Sequence, residues 1–92
     1  MILSFKCRHA KALAEGYRVN RFAKIEQVAR RKLRQLQIAN ELGDLMVPPG
    51  NQLKALKGDR RGQYSIRIND QFRICFRWSE GGPEDVEIVD HH

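Results

Sequence analysis

Val47-Pro48-Pro49-Gly50-Asn51 cuts this chain into two parts that obey different rules. Consecutive prolines remove two backbone donors and clash with any helix running into them, and the glycine behind them favours a turn. Whatever helices precede the cluster must end before it, and a new pattern starts after it. The chain has 92 residues, enough for one compact domain, so residues 1–92 are expected to fold as a single unit built from both parts.

Before the break the pattern is helical. At 100° per residue, Phe22, Ile25, Ala29, Leu33 and Leu36 fall on one narrow apolar stripe, which predicts an amphipathic helix with Asn20 as its N-cap. Lys24, Gln27, Arg30, Arg31 and Arg34 occupy the opposite arc. A shorter helix is predicted over Lys11–Tyr17, ending near Gly16, and Met1–Phe5 is apolar enough for a first strand. After the break, Leu53–Leu56, Gln63–Ile68, Phe72–Trp78 and Val86–Val89 are short apolar stretches separated by turn residues, the mark of antiparallel strands. The order is β-α-α followed by a β meander, an α+β fold with the helices packed on one face of the sheet.

The central hairpin can be read in register. Phe72, Ile74, Phe76 and Trp78 share one side of their strand, and Tyr64, Ile66 and Ile68 share one side of the strand before. A two-residue loop would pair Ile66 with Arg73 and mix the faces, whereas a three-residue loop, Asn69 to Gln71, pairs Ile68 with Phe72 and Ile66 with Ile74. That register sets Arg67 directly across from Arg73. Like charges facing each other are destabilising by some tenths of a kcal/mol. Either the two hold an anion between them, or they turn to water or to carboxylates such as Asp70, Asp90 or the chain end.

Charge narrows the function. Residues 1–34 carry ten basic and two acidic side chains, residues 51–78 seven and two, while residues 79–92 carry five acidic ones. Two cationic blocks in a chain of net charge +6 point to a polyanion, because neutralising each phosphate releases condensed counterions. Cys7 and Cys75 are far apart and too few for a disulfide framework or a four-ligand zinc site. No metal or other cofactor is expected. No apolar run approaches the roughly 18 residues a bilayer span needs, and Met1–Phe5 is short for a signal peptide. A cytosolic protein is the expectation.

Two stretches carry candidate chemistry. The last strand should run back from Gly81-Gly82-Pro83 and bring Asp90-His91-His92 level with the Asn69–Arg73 end of the hairpin. The basic turn Leu56-Lys57-Gly58-Asp59-Arg60-Arg61-Gly62 lacks P-loop spacing. Its glycines serve the turn, while Lys57 and Arg60 flank the same end of the sheet as Arg73.

That turn, the hairpin Tyr64-Ser65-Ile66-Arg67-Ile68-Asn69-Asp70-Gln71-Phe72-Arg73-Ile74-Cys75-Phe76 and the ending Val89-Asp90-His91-His92 resemble the HigB branch of the RelE/ParE superfamily of bacterial type II toxins. The resemblance extends to Ile2–Phe5 and the Pro48-Pro49-Gly50-Asn51 junction. It implies a small microbial-RNase-like RelE fold, ribosome-dependent cleavage of mRNA in the 30S A site, and a HigA-type helix-turn-helix antitoxin as partner. By matching position it implies that Arg73, Lys57, Asp90 and His92 are site residues. Position 91, usually Tyr in that signature, is His91, and position 54, His in some relatives, is Lys54. The catalytic set is accordingly Arg73, His92, Lys57, Asp90 and His91, with Arg67, Lys54 and Arg60 as phosphate contacts. Two other functions share these features: a ParE-like toxin that binds and inhibits DNA gyrase, and a nucleic-acid-binding module without catalysis.

Overall fold

The computed structural model describes residues 1–90. Two α-helices, α1 (Arg8–Ala14) and α2 (Glu26–Ile38), precede four strands, β1 (Lys54–Ala55), β2 (Gln63–Arg67), β3 (Phe72–Ser79) and β4 (Gly82–Asp90). The strands form one antiparallel sheet in the order β1-β2-β3-β4. The expected α+β architecture is present, with α1 and α2 against one face of the meander.

The apolar stripe does its predicted work. Phe22, Ile25, Ala29, Leu33 and Leu36 are all buried and form one cluster with Ile66, Ile74, Phe76, Val86 and Ile88 from the sheet. The helix start differs from the prediction. Val19, not Asn20, stands at the N-cap, no side chain caps it, and Asn20–Ile25 is a 3₁₀ turn leading into α2. Phe22 leaves helical dihedrals (φ −112°, ψ 19°) and packs edge-on against Phe72, ring centroids 5.6 Å apart. Burying a phenylalanine is worth about 1.5–3 kcal/mol against about 1 for a cap, so the ring sets the geometry. α1 ends as expected: Gly16, at φ +95°, lets Gly16 N–H reach Leu13 O (3.1 Å) and Tyr17 N–H reach Ala12 O (2.9 Å), a Schellman closure that a left-handed residue makes possible.

The hairpin register is the one the alternation predicts. Ile66 pairs with Ile74 and Arg67 with Arg73, Ile68 N–H bonds Phe72 O at 3.0 Å, and the Asn69 side chain accepts from Gln71 N–H (2.8 Å) and Phe72 N–H (2.7 Å) across the loop. β4 brings Asp90 across from Phe72.

The opening strand contracts to a single parallel bridge, Phe5 to Val86. Leu3 N–H bonds Pro83 O, Val86 N–H bonds Ser4 O and Lys6 N–H bonds Val86 O, at 2.8 to 3.1 Å. β4 cannot offer a longer ladder, because Asp85 sits at φ +53° where the β3–β4 register shifts between Cys75 and Arg77. The segment still covers the outer edge of β4, which would otherwise present unpaired backbone groups.

Candidate active site

Alternation along β2 and β3 sends Ser65, Arg67, Arg73 and Cys75 to the side away from the helices. Antiparallel pairing keeps facing residues on one side, so Glu87 opposite Cys75 and Val89 opposite Arg73 join them. The stretch 52–60 folds over this side. Lys54, Leu56, Lys57, Arg60, Ser65, Arg73, Cys75 and Val89 line a cleft of about 190 Å³.

Arg73 is its centre. Only 7% exposed, its Nε donates to Ser65 Oγ and its Nη2 to the Gln52 carbonyl, both at 2.8 Å. Two of the five guanidinium N–H groups are engaged, and among the described residues no carboxylate lies within ion-pair distance. Burial lowers the Arg73 pKa, a Cys75 thiolate opposes the shift, and Arg67 adds to it. Gln52 is held at φ +47°, an uncommon conformation for a residue with a side chain, by the turn that presents its carbonyl.

The cations around the cleft divide into two kinds. Arg60 is neutralised by Glu87 (3.2 Å) and bonded to Gln63 Oε1 (3.1 Å), and Lys6 reaches the same Glu87 oxygen at 3.5 Å. Lys54 and Lys57 are exposed and have no carboxylate partner among the described residues. Arg67 pairs with Asp70 on the hairpin loop, one of the carboxylates open to it. Burial pushes the Cys75 thiol up, and Glu87 adds to this while Arg60, Arg73 and Lys6 oppose it. A concave site with a buried guanidinium that has no carboxylate partner among the described residues, and two exposed ammonium groups at its mouth, can hold a phosphate by charge-assisted hydrogen bonds.

Over residues 11–92 the chain matches the family model of the RelE-like toxin HigB of type II toxin-antitoxin systems. It is 37% identical over 83 residues to Toxin HigB-1 of Vibrio cholerae serotype O1, covering 88% of this chain and 87% of that protein. The chain belongs to the HigB-like toxin family. An uncharacterized protein of Haemophilus influenzae is 29% identical over 65 residues, 71% of this chain and 64% of that one. The YoeB-YefM complex from Staphylococcus aureus gives a TM-score of 0.64 over 100% of this chain and 97% of the matched chain, at 16% identity, a likeness of fold.

In this HigB-like toxin the expected residues Arg73, Lys57, Lys54 and Arg60 come together in the cleft, and Arg67 lies beside it. Asp90 reaches the same end of the sheet, but as the partner of Phe72 it stands on the helix-facing side, where Gln71 Nε2 donates to it at 3.2 Å. His91 and His92 lie outside the described residues. Sequence reading passed over Ser65, Cys75, Gln52 and Glu87. Period-2 spacing from Arg67 and Arg73 already put Ser65 and Cys75 on the right side, but nothing local announces a main-chain carbonyl as a guanidinium anchor.

Proposed function

We propose that this HigB-like toxin is a ribosome-dependent endoribonuclease that cuts mRNA in the ribosomal A site without a cofactor. The observation that carries the reading is Arg73, buried, pinned by Ser65 and Gln52 at the floor of a cationic cleft, with no carboxylate partner among the described residues. RNA supplies its own nucleophile. The 2′-hydroxyl attacks the adjacent phosphate, so the protein must remove that proton, stabilise the extra charge on the phosphorane and protonate the leaving 5′-oxygen. Arg73 performs the second task, preorganised where the charge develops, with Lys57 adding a point charge and Lys54 and Arg60 holding flanking phosphate. His92 and His91 are the groups whose unperturbed pKa near 6.5 suits proton exchange at neutral pH, and Asp90, on the helix-facing side of β4 and outside the cleft lining, acts through an imidazole.

A HigA-type helix-turn-helix antitoxin is the proposed partner, in keeping with the family and with the toxin-antitoxin complex that shares the fold. The bacterial cytoplasm, where ribosomes and mRNA meet, is the proposed location. Among the described residues no helix is long and apolar enough to cross a membrane.

Addition of the purified chain to a translating extract tests the reading. Truncated mRNA is expected, with naked RNA cut far more slowly, because the ribosome supplies the orientation that so sparse a site lacks. Equal rates with and without ribosomes would refute ribosome dependence. Intact mRNA with loss of DNA supercoiling would assign the gyrase-directed function instead, and neither effect would leave a binding module.

A further inference from the structure

The Pro48–Gln52 turn is gripped by cations from two different layers of the molecule. Arg73, from β3, donates to the Gln52 carbonyl. Lys32, from α2, donates through Nζ to Asn51 Oδ1. Asn51 is 0% exposed, and its amide nitrogen is committed to Leu45 O at 3.1 Å and Gln35 Oε1 at 2.9 Å, so its oxygen has one orientation and holds Lys32 in one place. An ammonium has three donors and this contact uses one. Half-buried Lys32 is thereby unlike Lys54 and Lys57, which are exposed.

A third cation completes the group. Arg67 faces Arg73 across the hairpin, and Arg73 and Lys32 hold adjacent residues of one turn, Gln52 and Asn51; burial, then the charges of Arg31 and Arg67, lower the Lys32 pKa. Among the described residues Lys32 has no carboxylate within ion-pair distance, and Asp70, the partner of Arg67, is wholly exposed, where an ion pair contributes little and is readily exchanged. Arg73, Lys32 and Arg67 have one exposed counter-charge between them among the described residues, and like charges so placed favour the arrival of an anion.

We propose that Lys32 and Arg67 form a second phosphate site on the RNA path, beside the Arg73 cleft, with the Pro48–Gln52 turn fixing the spacing between the two. The site rests on the endoribonuclease reading and deepens it: its ligand is a phosphodiester neighbouring the scissile one. It holds the strand equally before and during the reaction, so its loss should raise KM and leave kcat unchanged. A purely structural Lys32, present only to satisfy Asn51, would need a hydrogen-bond donor there but no charge.

Salt dependence separates the two. Binding of a short 2′-O-methylated single-stranded RNA, which lacks the attacking hydroxyl, is followed by fluorescence anisotropy between about 50 and about 200 mM KCl. Lys32→Gln keeps a donor for Asn51 and drops the charge; it should weaken binding and flatten the log K against log salt slope by about 0.7, the loss of one phosphate contact to a single strand. Lys32→Arg should keep the slope, and so should Lys24→Gln, which removes an equal charge from the turn before α2. A folded Lys32→Gln with the slope of the parent overturns the site, as does an equal flattening in Lys24→Gln. Should Lys32→Gln fail to fold, Arg67→Gln decides, an unchanged slope again overturning it. Wild-type protein that leaves ribosome-bound mRNA intact would undo the endoribonuclease reading, whereas cleavage with equal slopes would undo this site alone.

Discussion

Ile66, Ile74 and Phe76 point from β2 and β3 toward the helices, while Ser65, Arg73 and Cys75 point from the same two strands the other way, and both sets are buried. The helix side is held by contact among many interchangeable apolar surfaces. The cleft side is held by specific donors and acceptors, each with few partners. Damage should therefore spread differently: a missing ring on one side unfolds the chain, while a missing nitrogen on the other leaves a folded chain that cannot bind charge.

Phe76→Ala gives the largest expected effect. Phe76 is fully buried at the centre of the sheet, and its truncation should cost about 3–5 kcal/mol, a large share of the about 5–15 that a domain has. Thermal unfolding by circular dichroism should show a fall in Tm of well over ten degrees, since about 1 kcal/mol shifts a chain of this size by about 4–8 °C. A fall of only a few degrees would mean that the helix side collapses around the gap and that the contrast is false.

Arg73→Lys comes next, and should act on rate more than on stability. It keeps the charge but cannot span Ser65 Oγ and the Gln52 carbonyl together, so one buried acceptor loses its partner at about 1–3 kcal/mol. Cleavage of ribosome-bound mRNA should drop about a hundredfold or more, as expected for a transition-state donor out of place. Full activity with lysine would reduce the guanidinium geometry to mere charge. Ser65→Ala, read in the same assay, should move in the same direction by less, because the Gln52 contact remains.

The smallest effect is a slope. Burial raises the Cys75 pKa, so the folded chain keeps a proton that the unfolded chain gives up first. That stabilisation is complete below the unfolded thiol value of about 8.5 and is lost as pH rises through the folded value. Urea unfolding should show stability bending downward above about pH 8.5 in the parent and bending less in Cys75→Ala. Identical curves would mean that the thiol is as well hydrated as on the unfolded chain.

How far each side could be read beforehand follows from the same contrast. Period-2 alternation and the need to keep Ile66 against Ile74 fixed the hairpin register and the placing of Arg73, and the helical stripe named the α2 core. These are local patterns enforced by a strong, non-directional force. The cleft depends on pairings between distant segments: Ser65 with Arg73, Gln52 with Arg73, Lys32 with Asn51. No periodicity encodes those. The Asn20 cap failed for the related reason that a ring packing on Phe72, fifty residues away, outweighed a local hydrogen bond, and the opening strand shrank because a left-handed Asp85 lies on the strand it meets.

That opening segment has a consequence in time. Ser4 Oγ accepts from Asp85 N–H at 2.9 Å, across 81 positions, and the sheet edge closes only when the two meet. Contacts of such sequence separation are made late, after the loop-closure entropy between them has been overcome. A chain emerging residue by residue from a ribosome can build α1, α2 and the hairpin while its first residues wait for a strand not yet made. On the proposed reading, a protein whose target is translation cannot close this edge of its own sheet until Asp85 has been made.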